Sequence, residues 1–73
     1  MKIEIRLFAT FRQNRGKIVE LELQDPTPKK LLNQLGIDPE DVAILLVNGQ
    51  DAKFDQELQP GDYLSVFPPV GGG

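Results

Sequence analysis

Lys2-Ile3-Glu4-Ile5-Arg6-Leu7-Phe8 alternates charged and aliphatic side chains almost residue by residue. Ile3, Ile5 and Leu7 fall on one parity and Lys2, Glu4 and Arg6 on the other, the period-2 pattern of a strand with one buried face. Working outward, residues 9–16 lose the alternation and end on Asn14-Arg15-Gly16, which predicts a loop that turns the chain. Residues 17–23 resume it, with Val19, Leu21 and Leu23 inward and Lys17, Glu20 and Glu22 solvated, so the first two strands read as a hairpin. Ile18 is the apolar exception on the outer face.

Asp25-Pro26-Thr27-Pro28 then breaks the strand and starts a helix. Thr27 suits the N-cap, and Pro28 suits the first helical position, where its missing N–H costs nothing. Leu31, Leu32 and Leu35 form the apolar edge, and Gly36 is placed to stop the helix in a left-handed conformation. So short a helix must be held by packing its leucines on the sheet. Asp38-Pro39-Glu40-Asp41 repeats the cap-then-proline pattern and predicts one further helical turn. Residues 42–47 are an apolar run entering Asn48-Gly49, a tight hairpin signal. The run has no polar face, so the side on which Leu46 lies is left open. Residues 51–54 read as a short return strand, Gln59-Pro60-Gly61-Asp62 as a turn, and residues 62–67 as the last strand, with Leu64 and Val66 inward and Tyr63, Ser65 and Phe67 outward.

The order strand, strand, helix, strand, short strand, strand predicts an α+β domain over residues 1–67. Its expected architecture is a β-grasp: a mixed sheet of four to five strands, first and last parallel at the centre, with one short helix on one face. The uncovered face is left with Phe8, Ile18 and Phe67, joined by Leu46 if the 42–47 strand turns that side outward, among Glu4, Arg6 and Lys17. Residues 68–73, Pro-Pro-Val-Gly-Gly-Gly, cannot continue a ladder and have nothing to bury, so they predict a mobile tail.

Composition narrows the chemistry. The 73 residues hold no Cys and no His, which excludes a thiol nucleophile, a disulfide, an iron–sulfur cluster and a usual structural zinc site. Eight Lys plus Arg against eleven Asp plus Glu leave a net charge of −3, which argues against a broad grip on nucleic acid. No apolar run approaches the roughly 20 residues of a membrane span, and the alternating start is unlike a signal peptide. A cytoplasmic protein without metal or bound cofactor is expected.

The opening from Lys2 to Arg12, the Val47-Asn48-Gly49-Gln50 and Pro60-Gly61-Asp62 turns, and the ending Val66-Phe67-Pro68-Pro69-Val70-Gly71-Gly72-Gly73 resemble the ubiquitin-like sulfur carriers of the MoaD/ThiS family, most of all the small subunits of molybdopterin synthase. The resemblance spans the whole chain. Paired prolines ahead of the final glycines are more specific than a bare Gly-Gly; the thiamine-pathway carriers usually lack them. Gly71 stands where such tails more often carry Ala or Ser.

The resemblance implies that the working group is the C-terminal carboxylate of Gly73. An activating enzyme resembling those of ubiquitin would adenylate it with ATP, and a sulfur donor such as a cysteine desulfurase system would convert it to a thiocarboxylate. This would pass sulfur to a pterin precursor in a large synthase subunit, the chain itself having no catalytic side chains. Gly71 and Gly72 would let the terminus thread a narrow channel, and Pro68 and Pro69 would stiffen the root of the tail and lower the ordering cost. Phe8, Leu46, Phe67 and Arg6 form the expected partner surface. Other readings stand beside this one: transfer to thiamine or tRNA, conjugation to lysines, or a plain interaction module whose glycines are a linker. Phe8 and Phe67 also fit scattered exposed apolars. Lys29, Lys30, Glu20 and Glu22 read as solvated faces, and Glu22 with Asp25, or Asp38 with Glu40 and Asp41, lacks the spacing of a calcium loop. Arg6, Arg12 and Arg15 make a modest basic cluster.

Overall fold

Alternation at the start of the chain produces a central strand. In the structure, a computed structural model that describes residues 1–69, β1 runs Lys2–Leu7 with Ile3, Ile5 and Leu7 buried. It pairs antiparallel with β2 (Ile18–Glu22), Ile5 opposite Val19, and parallel with the last strand, β5 (Tyr63–Phe67), Ile5 opposite Leu64. Two further strands, β3 (Ile44–Val47) and β4 (Gln50–Asp51), complete a five-stranded mixed sheet in the order β2-β1-β5-β3-β4. The first and last strands are central and parallel, as expected for a β-grasp.

The helix α1 (Pro28–Leu35) forms where its end signals lie. Thr27 is extended and its hydroxyl accepts from the Lys30 N–H, Pro28 opens the first turn, and Gly36 closes the last with φ 74°. Leu31 and Leu32 are fully buried against the inward row of Ile3, Ile5, Leu7, Leu45, Val47, Leu64 and Val66. Burying a side chain of this size contributes about 1.5–3 kcal/mol, which more than offsets the weak intrinsic stability of an eight-residue helix. Asp38 caps a 3₁₀ turn at Pro39–Asp41 by accepting from the Glu40 N–H, so its carboxylate serves the backbone.

Four buried residues lie in connections, Pro26 among them. Phe11, Ile37 and Leu58 close the edges of the core. Residues 9–16 are therefore not simply a loop: Ala9–Arg12 form a 3₁₀ turn that drives Phe11 inward. A single aromatic in a segment without period leaves no sequence signal for this. Arg15 ties that turn to the helix, donating from Nε to Leu35 O (3.0 Å) and from Nη1 to Phe11 O (3.3 Å). A cation there also suits the carbonyl end of the helix.

The return strand is shorter and earlier than expected, Gln50–Asp51 rather than 51–54. Ala52 still donates to Leu45 O, after which the chain turns away, and its Phe54 carbonyl accepts from the Lys29 N–H. The face of β3 is resolved by its register with β5: Leu45 lies opposite Val66 and Val47 opposite Leu64, so both point inward and Ile44 and Leu46 point outward.

Candidate functional site

The helix covers one face of the sheet, and the other face meets the root of the tail. Glu4 and Arg6 are carried outward by β1, with Phe8 just past its end; Tyr63, Ser65 and Phe67 are carried by β5, and Ile44 and Leu46 by β3. The registers line up one row across all five strands, Ile18, Arg6, Ser65, Leu46 and Asp51. This explains why Ser65, on the uncovered face, is only 6% exposed: Arg6 and Leu46 stand on either side of it. Leu46 is accordingly half-buried, whereas Ile44, opposite Phe67, is 46% exposed.

Phe8 and Phe67 stack, ring centroids 4.1 Å apart and planes 10° from parallel. Both rings are half-buried, so they form a fixed apolar platform where the chain leaves the sheet. Aromatic pairs gain about 0.5–1.5 kcal/mol beyond the area they bury, enough to hold such a platform in place. Ile44 extends it, and beside Ile44 a groove of ≈ 240 Å³ opens between β3 and the 51–54 segment.

Two arginines border the platform. Arg6 donates from Nε to Glu4 Oε2 at 2.6 Å and lies over the Tyr63 ring, 3.9 Å from its centroid. The hydrogen bond to Glu4 raises its pKa above an already high ordinary value, so it stays charged. Pairing with Arg6 also relieves Glu4 of its cross-strand neighbour Glu20, a like charge. Arg12 donates from Nε to Leu7 O at 2.8 Å and stands over the Phe8 ring at 5.3 Å.

Of the residues expected at the site, Phe8, Phe67, Leu46 and Arg6 share this face, and Pro68 and Pro69 follow Phe67 directly. Gly71, Gly72 and Gly73 lie outside the described residues. The grouping of Arg6, Arg12 and Arg15 as one basic cluster does not hold, because Arg15 is spent on backbone carbonyls. The expectation missed Ile44, Tyr63 and the role of Arg12. Ile44 was within reach once Leu45 and Val47 were taken as core by the alternation rule; the aromatic partners of the arginines had no local signal.

An α-helix laid on one face of a sheet whose first and last strands pair in parallel, with an apolar platform at the exit of the last strand, defines a ubiquitin-like β-grasp protein. The sequence model of the ThiS family matches residues 5–73. The chain belongs to the ThiS family and is a ThiS/MoaD-like, ubiquitin-like sulfur carrier or modifier. Among solved structures, a Pyrococcus furiosus protein provisionally assigned as molybdopterin converting factor subunit 1 is 30% identical, with TM-score 0.78 over 96% of this chain and 99% of its own. SAMP1 from Haloferax volcanii, a small archaeal modifier protein, is 26% identical with TM-score 0.78 over 100% of both chains. A chain from the complex of subunits 1 and 2 of molybdopterin-converting factor from Helicobacter pylori shares the fold at 23% identity, TM-score 0.66, over 100% of both chains. No curated protein sequence matches significantly. Among the described residues no helix is long and apolar enough to cross a membrane.

Proposed function

We propose that this chain carries sulfur as a thiocarboxylate on Gly73 and delivers it to a molybdopterin precursor. The observation that supports the reading is that the family match runs to residue 73 and so spans the glycine ending, which follows the Phe67 platform after Pro68-Pro69-Val70. An activating enzyme joins the Gly73 carboxylate to the AMP of ATP, releasing pyrophosphate. Sulfide displaces AMP and leaves a C-terminal thiocarboxylate; where the donor is the persulfide of a cysteine desulfurase system, its terminal sulfur displaces AMP and a thiol then reduces the resulting acyl disulfide, releasing the thiocarboxylate. Like a thiolate, that group is anionic near neutral pH and strongly nucleophilic. Its sulfur displaces an oxygen leaving group from an electrophilic carbon of the acceptor, and water then cleaves the resulting thioester, returning the Gly73 carboxylate and leaving a thiol on the acceptor.

The chain's own part is to dock and to reach. Pro68 to Gly73, fully extended, span about 20 Å, enough to enter a partner's active site while the body stays outside. Ordering such a segment costs roughly 1–2 kcal/mol per residue, which the face around Phe8, Phe67, Ile44 and Leu46 must offset by burial against the partner. Likeness to the Pyrococcus protein supports a large synthase subunit as that partner. Likeness to SAMP1 favours a second reading, in which the adenylate is captured by a lysine amine and the chain becomes a modifier.

The test is mass spectrometry after incubation with the cognate activating enzyme, ATP and sulfide. Exchange of oxygen for sulfur at an activated carboxylate adds about 16 Da. A chain without Gly73 should gain nothing. No mass change in the intact chain refutes the carrier reading, and a lysine-linked adduct in its place supports the modifier.

A further inference from the structure

Arg6 and Arg12 are built alike. Each spends Nε on an acceptor within its own chain, Glu4 Oε2 for Arg6 and Leu7 O for Arg12, and each lays its guanidinium on an aromatic ring, Tyr63 and Phe8 respectively. Among the described residues the Nη pair of neither arginine has a hydrogen-bond partner. Fixing Nε and the ring plane leaves the two Nη groups as an oriented edge, and such an edge matches a carboxylate by two parallel hydrogen bonds. Long side chains normally lose rotamer freedom when they bind; here the Nε hydrogen bond and the ring contact already restrict it.

We propose that Arg6 and Arg12 are pre-set forks that receive two carboxylates of the protein docking on the Phe8–Phe67 platform. This rests on the carrier reading above and names the chemistry of its partner surface: acidic side chains bordering an apolar contact. Charge complementarity supports that occupant. The chain is acidic overall at −3, yet Arg12 forms no ion pair among the described residues and Arg6 balances Glu4, so the border of the platform is its cationic part. If the tail enters its partner fully extended, as the carrier reading requires, Gly73 reacts about 20 Å from the platform. The forks act on docking.

The test measures binding of wild type and of the variants Arg6→Lys, Arg12→Lys, Arg6→Gln and Arg12→Gln to the large synthase subunit and the activating enzyme encoded in the same genome, at low and high salt. Lysine keeps the charge and loses the fork. Each Lys variant should bind about 5–10-fold more weakly and each Gln variant about 10–50-fold more weakly, with the difference from wild type shrinking at high salt. Double-mutant cycles should then couple each arginine to a specific partner Asp or Glu. Wild-type affinity in both Lys variants overturns the proposal. So does a loss that is equal at low and high salt, which marks a distorted fold. If wild type is loaded with sulfur but the variants bind like it, only this inference falls; if wild type binds neither protein, the carrier reading falls with it.

Discussion

Ala9 is held at φ 53°, a left-handed conformation that an L residue adopts at a cost of order 1 kcal/mol. It follows Phe8, in the platform, and opens the turn that buries Phe11, so its reversal of the chain sends Phe8 and Phe11 to opposite faces of the sheet. Glycine accepts that conformation freely but loses more entropy on folding. Ala9→Gly should therefore melt at the wild-type temperature or up to about 4–8 °C above it, while Ala9→Val should melt lower by at least as much. A Gly variant melting well below wild type would show that the conformation is not strained. Nothing local in Phe8-Ala9-Thr10 announces this bend. Asn48-Gly49 does announce its own, and both residues take the expected positive φ, 53° and 81°.

At the scale of elements, order and faces were legible and edges were not. Alternation in β1 and β2, the Thr27-Pro28 start and the Gly36 stop each rest on a local rule, and each holds in the structure. Phe11 and Leu58 obey no period, because they are single plugs whose burial depends on what the rest of the chain has already built. The same holds for the candidate site: parity placed Phe8, Arg6 and Phe67 on one face, but the position of Arg12 over the Phe8 ring depends on the turn at Ala9–Arg12, where the sequence predicts a loop. Two substitutions separate these kinds of information. Thr27→Ala removes the cap and should cost about 1 kcal/mol. Phe11→Ala leaves a cavity and should cost about 3–5 kcal/mol, which in so small a domain approaches its entire stability. Chemical denaturation measures both; a smaller loss for Phe11 than for Thr27 would mean that the turn does not seal the core.

For the whole molecule, the division of labour between body and tail makes a further prediction. Every buried apolar side chain among the described residues lies between Ile3 and Val66. Deleting Gly72 and Gly73 should abolish sulfur loading and leave the melting temperature unchanged; a large drop in melting temperature would show that the tail is part of the fold. Phe67→Ala, at the border of the two, should weaken partner binding by about tenfold or more, as loss of a central aromatic anchor does, with a smaller cost to stability than Phe11→Ala. Isothermal calorimetry and thermal melts on the same samples would distinguish these effects.

The parallel pairing of β1 with β5 also decides how the molecule bears mechanical load. Tension applied between Met1 and the tail pulls the two central strands in opposite senses along their length, so the ladder from Glu4–Tyr63 to Leu7–Val66 is sheared as a unit. Pulling β2 away from β1 would instead peel an antiparallel pair from one end, bond by bond. The line between the two ends is thus the direction in which the body yields last, and single-molecule stretching from the two termini should meet a higher rupture force than stretching across the β1–β2 pair.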